Sequence, residues 1–387
     1  MERLKTVLRV SVALLLLGCS QAPLEPEPSA GVLEFPGMCY TAFRADAFRI
    51  GQRLGALREL RQQTAAGWVA LCVFEYQSTP TSADIAPNTD GRNPVTGQPN
   101  PTTSTPEDIR AAVADARALG LRLLLKPHVD VYSGAWRGTI QPSPEWFRAY
   151  TAMMVRYAQL AEELGIEMLC IGTELVTATQ TAWTPFWERL IDTIRQVYRG
   201  RLLYAANWEG TPEVPGAEFS RIGFWQRLDF IGVNFYPPAT ASPQEPVPTP
   251  EEIVQRWDGY RRQLRALARQ LGKRVVITEV GCQSVQGALA APWDYRRGTA
   301  PGALPDMEAQ ERYYQAVRLL CAAEPWCAGV FWWEWESVPS PSEQTGYTPR
   351  NKPAARVVRE WYQQASARAE PGRGWWAIHR WSAAALR

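Results

Sequence analysis

The stretch EMLCIGTEL, Glu167 to Leu175, opens on an apolar run and closes on a carboxylate. Met168 to Ile171 shows no alternation of polar and apolar residues, the pattern of a strand buried on both faces, and such strands belong to parallel sheets covered by helices. Glu174 then stands at the mouth of an apolar core, where an unpaired charge is costly. The fold has to give that carboxylate a use.

Seven more apolar runs surround this one. They are Gly37 to Phe43, Trp68 to Phe74, Leu121 to Val129, Arg201 to Trp208, Asp229 to Tyr236, Arg274 to Gly281 and Ala328 to Trp335. Between them lie stretches with helical periodicity: Gly51 to Ala66, Pro106 to Leu119, Pro144 to Leu164, Trp183 to Tyr198, Pro250 to Leu271 and Met307 to Ala323. Several open on a Ser-Pro or Thr-Pro pair, in which the hydroxyl caps the first turn and proline occupies its first position. The link before the sixth run is weaker, with a short helix expected near Glu218 to Arg227. Alternating strands and helices with continuous apolar strands imply an α/β fold, and eight strands imply a closed (β/α)8 TIM barrel.

Composition narrows the function. The 387 residues are 46% hydrophobic and 21% charged with a formal net charge of +2, which gives no electrostatic case for nucleic acid. Tryptophan, at 17, outnumbers both tyrosine and phenylalanine. An indole N–H needs a partner when buried, so many of these rings are expected on a surface or cleft, the remainder filling the core. Two histidines, His128 and His379, and no ligand spacing among the cysteines leave no metal site to expect, and no cofactor is expected. Cys39, Cys72 and Cys170 read as small buried hydrophobes, whereas Cys321 and Cys327 flank a five-residue loop that a disulfide could close.

The termini are read apart from the barrel. Arg3, Lys5 and Arg9 precede the apolar run Val10 to Leu17, too short to span a bilayer, and the run ends LLGCSQ. Leu-Leu-Gly-Cys resembles a bacterial lipobox, which implies a lipoprotein signal peptide over 1–18, lipidation of the Cys19 thiol, and a lipid-anchored flexible tether over 19–35. The expected location is an exported lipoprotein on the cell or outer membrane, its catalytic domain periplasmic or extracellular. The barrel is expected over 36–366, and 367–387 forms a tail whose role the residues do not indicate.

In a (β/α)8 barrel the chemistry sits where the strands end. The residues there are Arg44, Tyr76, His128, Asp130, Glu174, Asn207, Trp208, Asn234, Tyr236, Glu279, Trp333 and Trp335. Glu174 and Glu279 occupy strand ends four and seven, so closure of the barrel sets them across one cavity. A single rim glutamate is ordinarily one half of an ion pair; two, among indoles and amides and without metal ligands, point to glycoside hydrolysis.

Glutamates on strands four and seven resemble the large clan of retaining glycosidases. LKPHVDVYSGAWRGTI, IGTEL, DFIGVNFYP, TEVGCQSVQGALAAPWDY and YTPRNKPA resemble, in order and spacing, glycoside hydrolase family 113, the barrel β-mannanases. The likeness runs from about Gly37 to about Tyr362. It implies cleavage of β-1,4-linked mannan or manno-oligosaccharides by double displacement, with Glu279 as nucleophile held by the Tyr236 hydroxyl and Glu174 as acid/base. Many members of the wider clan carry Asn immediately before the acid to contact the sugar 2-OH, where this chain has Thr173. The 2-OH partner is then open among Asn207, Asn234 and His128. Trp333 is expected beneath the reacting sugar, with Trp136, Trp208, Trp293 and Trp335 along the cleft; Asp130 is a further substrate contact. Lys126 either holds the sugar or neutralises buried carboxylates, as His128 does in the same two readings, and Arg137 either binds or caps its loop. The remaining alternatives are a retaining enzyme for another β-hexose polymer, such as a glucan, and a glycan-binding lipoprotein without turnover.

Overall fold

Eight parallel strands close in sequence order into a barrel, and a computed structural model describes it over residues 33–368. The strands are β1 (Phe35–Thr41), β2 (Trp68–Gln77), β3 (Arg122–Val131), β4 (Met168–Thr173), β5 (Arg201–Asn207), β6 (Phe230–Asn234), β7 (Val275–Val280) and β8 (Cys327–Glu336). The outer layer comprises α1 (Ala47–Leu54), α2 (Ala56–Thr64), α3 (Pro106–Ala118), α4 (Pro144–Glu163), α5 (Thr184–Arg195), α6 (Pro250–Arg256), α7 (Asp258–Leu271), α8 (Met307–Ala322) and α9 (Pro353–Arg368). The expected (β/α)8 barrel is the observed one. Cys19 and residues 369–387 lie outside the described residues.

The helix starts follow the capping chemistry. Thr105 and Asp108 form a reciprocal capping box at α3 around Pro106, Thr249 and Glu252 do the same at α6 around Pro250, and the Ser143 hydroxyl accepts from Trp146 N–H at α4. Each such cap is worth about 1 kcal/mol. The local departures have simple causes. The first helix breaks into α1 and α2 at Gly55, whose φ of 72° ends one helix and leads into the next. The expected helix between β5 and β6 is two 3-10 turns, Glu218–Ser220 and Trp225–Arg227, because Trp225 and Phe219 must turn inward within a short link.

Strand alternation divides the core in two. One set, including Phe35, Trp68, Leu124, Met168, Leu203, Val276 and Phe331, fills the barrel interior, while Leu71, Leu123, Ile171, Leu202 and Val330 face the helices. Three strands interrupt this alternation with an extra residue. On β4 the partners pass from Cys170↔Leu203 to Thr173↔Ala205; on β7 from Val233↔Ile277 to Asn234↔Glu279; on β8 from Met38↔Trp332 to Tyr40↔Trp335. Each is a bulge, which re-aims the side chains after it. The third bulge corrects one expectation: Trp335 does not line the cleft. It is fully buried, facing the helical layer with Arg350 stacked 4.6 Å from its ring.

Most of the described tryptophans are likewise core residues. Several of their N–H groups find carbonyl or amide oxygens, as Trp146 on Gln77 at 2.8 Å, Trp187 on Ala178 at 2.8 Å and Trp257 on Pro238 at 3.0 Å. The expected surface row therefore shrinks to a few rings. Cys39, Cys72 and Cys170 are buried as read, and Cys321 and Cys327 are separate buried thiols rather than a disulfide.

Candidate active site

Two of the three bulges carry the two carboxylates. Gly172 lies inside the β4 bulge because no side chain fits there: a Cβ would come within 2.7 Å of the Tyr204 ring and 3.0 Å of the Tyr150 hydroxyl. The chain then turns at Glu174 with φ of 53°, the left-handed region that residues with a Cβ rarely adopt. That turn swings the carboxyl from the strand end over the barrel mouth. On β7 the extra residue lets Thr278 and Glu279 both face β6, Thr278 through its hydroxyl to Asn234 at 2.8 Å.

Glu279 is gripped at both oxygens. The buried Lys126 ammonium donates to Oε1, and the Tyr236 hydroxyl donates to Oε2 at 3.0 Å. Burial opposes the charge on Lys126, but the Glu279 carboxylate and the nearby Cys39, Cys72 and Cys170 together hold the ammonium above its ordinary pKa. Lys126 also reaches Asn234 Oδ1 at 3.3 Å and the Thr278 carbonyl at 3.4 Å. Of its two readings from sequence, the geometry gives charge neutralisation. Burial, then the charge on Glu279, pushes the Tyr236 hydroxyl far up, so it stays a donor.

Glu174 sits in a different environment. Asn234 Nδ2 donates to Oε1 at 3.1 Å and the Trp136 indole N–H to Oε2 at 3.3 Å, with Arg137 Nη1 3.7 Å away. Burial raises its pKa, the charge on Glu279 raises it further, and Arg137, Asn234 and Trp136 pull back; the net direction is up. Asn234 is the link between the two sites, since its amide is fixed by Thr278 and Lys126 on one side and by Glu174 on the other.

Arg137 does more than cap its loop. It bonds Asp130 through Nε at 3.0 Å and through Nη2, and its Nη1 donates to His128 Nδ1 at 2.9 Å. A guanidinium has no lone pair to offer, so Nδ1 must be the acceptor and the ring proton lies on Nε2. That Nε2 is buried, 3.9 Å from Glu279 Oε1, and has no hydrogen-bond partner among the described residues. Burial, Arg137 and Lys126 all depress the imidazole pKa, which keeps the ring neutral in this tautomer.

The aromatic residues divide by exposure. Trp136 and Trp293 are exposed on the rim at 38% and 46%, and Trp333 is half-buried, its ring 6.4 Å from that of His128. Trp332, its neighbour, stacks on Tyr314 of α8 at 3.9 Å. Trp208 is buried, packed against Trp293 at 5.4 Å and Tyr260 at 5.6 Å, so it backs the rim ring instead of presenting a free face. Asn207 gives its backbone N–H to Glu218 at 2.6 Å. Glu218, Tyr204 and Thr278 contribute to the site without any signal that the sequence pattern could reveal. Among the described residues no group of three or more His, Cys, Asp or Glu side chains is arranged to hold a metal ion.

The sequence profile of Glycoside Hydrolase Family 113 matches residues 43–352. The chain belongs to that family. The GH113 β-mannanase of Alicyclobacillus acidocaldarius, solved in complex with ManMIm, is 28% identical, with 86% of this chain and 98% of that chain covered at a TM-score of 0.71. Another GH113 β-1,4-mannanase is 23% identical, covering 86% of this chain and 99% of that one, also at 0.71. The endo-β-1,4-mannanase of Thermotoga petrophila shares the fold at 12% identity and a TM-score of 0.54, over 88% and 78% of the two chains. No curated protein sequence matches. Membership in the family makes the chain a glycoside hydrolase.

Proposed function

We propose that the protein is a retaining β-mannanase that cleaves β-1,4-linked mannan or manno-oligosaccharides, with Glu279 as nucleophile and Glu174 as acid/base. The observation that carries this reading is the contrast between two facing carboxyls. Glu279 takes hydrogen bonds from an ammonium and a phenol, which suit an attacking carboxylate, while Glu174 is buried beside a negative charge, which suits a proton donor.

In the first step a Glu279 oxygen bonds to the anomeric carbon as the glycosidic C–O bond breaks, and the Glu174 proton passes to the leaving oxygen. The ester then carries no charge. One of the causes that raise the pKa of Glu174 is thereby removed, and the carboxylate left on Glu174 takes a proton from water as that oxygen attacks the anomeric carbon and releases Glu279. The carboxyl at the mouth of the apolar core thus changes its proton affinity once in each half-reaction.

The remaining residues bind. We assign His128 Nε2–H and the Asn234 amide to hydroxyls of the reacting sugar. Trp333 forms the platform for that sugar, and Trp136 and Trp293 offer exposed faces for neighbouring units. The β-mannanases of the family that superpose on this chain support mannan over glucan. Release of reducing ends from glucomannan, mannan, carboxymethylcellulose and aryl β-glycosides tests the choice. Turnover of mannan with cellulose inert is expected; turnover of cellulose with mannan inert would overturn it.

We further propose that Cys19 carries lipid and that the segment between it and the barrel's first strand tethers the barrel to a membrane on the exported side. What supports this is the LLGCSQ sequence after a short basic and apolar leader. No helix among the described residues is long and apolar enough to cross a membrane.

A further inference from the structure

Another buried glutamate lies behind the acid, outside the reaction path. Glu218 has no solvent exposure and makes no ion pair among the described residues within 4.0 Å. It collects three hydrogen bonds instead: from the Tyr204 hydroxyl at 2.6 Å, the Thr179 hydroxyl at 2.8 Å and Asn207 N–H at 2.6 Å. Burial pushes its pKa up to about 7 against those donors. A carboxylate held this way, in the loop after β5, is an expensive structural feature. The chain of bonds that leaves it gives the reason.

Tyr204 uses its only proton on Glu218, so its oxygen lone pair is free to accept, and it accepts from Leu175 N–H at 2.7 Å. The preceding amide, Glu174 N–H, bonds Ala205 O at 2.9 Å. Two successive amides at the left-handed turn are therefore pinned to β5, one directly and one through Tyr204. A φ of 53° at a glutamate persists only where the surroundings over-determine it. Thr179 ties the far end of the same loop to the same carboxylate.

From this geometry we infer that Glu218, acting through Tyr204, is the positioning residue that holds the backbone of Glu174 in its left-handed turn and so aims the acid/base at the leaving oxygen. The inference rests on Glu174 being the acid/base. Only a carboxylate meets the requirement. A glutamine here could accept from Tyr204 and Thr179 with its carbonyl, but its NH2 would then face Asn207 N–H, donor against donor.

The test compares Glu218→Gln, Tyr204→Phe and Glu174→Ala on two substrates, mannotetraose and 2,4-dinitrophenyl β-mannoside, the second of which leaves without protonation. A displacement of about 1 Å in a catalytic group costs up to about 10²-fold. We expect Glu218→Gln and Tyr204→Phe to lower kcat/KM on mannotetraose at least tenfold while changing first-step rates on the aryl substrate less than threefold. The split between the two substrates is the readout that a merely structural role would not give, since loss of folding or of sugar binding would fall on both alike. Equal losses on both substrates, or no loss on either, with Glu174→Ala showing the split, would overturn the inference and leave the acid assignment intact. If Glu174→Ala itself shows no split, the acid assignment falls and the inference with it. Thermal melts of all three variants accompany the kinetics, and Tyr204→Phe, which removes one oxygen atom, carries the test if Glu218→Gln does not fold.

Discussion

The charge pair Arg137–Asp130 offers a way to move the acid's pKa in both directions without touching it. Arg137 Nη1 lies 3.7 Å from Glu174 Oε2, and both side chains are largely buried, at 15% and 13% exposure. At an effective dielectric of ~20 two unit charges at that distance interact by about 4.5 kcal/mol. This is a ceiling. Asp130 is bonded to the same guanidinium and cancels much of its field, so the net effect on Glu174 is a fraction of that figure. The sign follows from which form the charge favours. Arg137 stabilises the ionised Glu174; its removal raises the pKa, and the protonated acid survives to higher pH. The alkaline limb of kcat/KM on mannotetraose should therefore shift upward in Arg137→Met. Asp130→Asn leaves the guanidinium uncompensated, so there the limb should shift downward. The assay is kcat/KM across roughly pH 4 to 10, repeated on 2,4-dinitrophenyl β-mannoside, whose first step needs no proton and should show no such limb. An unmoved limb in both variants, or shifts of the opposite sign, would refute the electrostatic account of Glu174.

Two further outcomes follow from burial and from the leader. Trp335→Ala removes a fully buried ring behind the site and should cost about 3–5 kcal/mol of stability with KM unchanged, whereas Trp293→Ala should leave the melting temperature alone and raise KM for longer oligosaccharides; equal effects of the two on KM would contradict the division between core and rim. In a host that processes lipoproteins, Cys19→Ala should move the protein from the membrane fraction to the soluble exported fraction, and an unchanged distribution would contradict the anchor.

The barrel was legible because its strands are continuous apolar runs alternating with helical stretches, three of which, α3, α4 and α6, open on a Ser-Pro or Thr-Pro cap. The two glutamates were legible because each stands at the C-terminal end of such a run. What period-two alternation misreads is the bulge. On β8 the residues Phe331, Trp332 and Trp333 alternate as read, but the extra residue before Trp335 turns that ring to the helices. On β4 and β7 the same device brings the carboxylates to the mouth, yet no residue type marks it beyond Gly172. Glu218 escaped because a buried acid looks like any loop glutamate until its donors, drawn from Thr179, Tyr204 and Asn207, are brought together by closure of β4 against β5. The count of tryptophans misled for a related reason: backbone carbonyls in the loops and 3-10 turns supply N–H partners that make several buried indoles tolerable.

The central claim is a covalent bond between a sugar and Glu279. Incubation with 2-deoxy-2-fluoro-β-mannosyl fluoride slows both steps, the second more than the first, so that the glycosyl-enzyme accumulates and survives digestion. Mass spectrometry of the peptic peptides should then find one fluoromannosyl unit per chain, on the Glu279 carboxylate and within the segment Val275–Val280 or its flanks. A label on any other residue, or complete inactivity toward the reagent by an enzyme that turns over mannan, would contradict the mechanism derived from these two carboxyls.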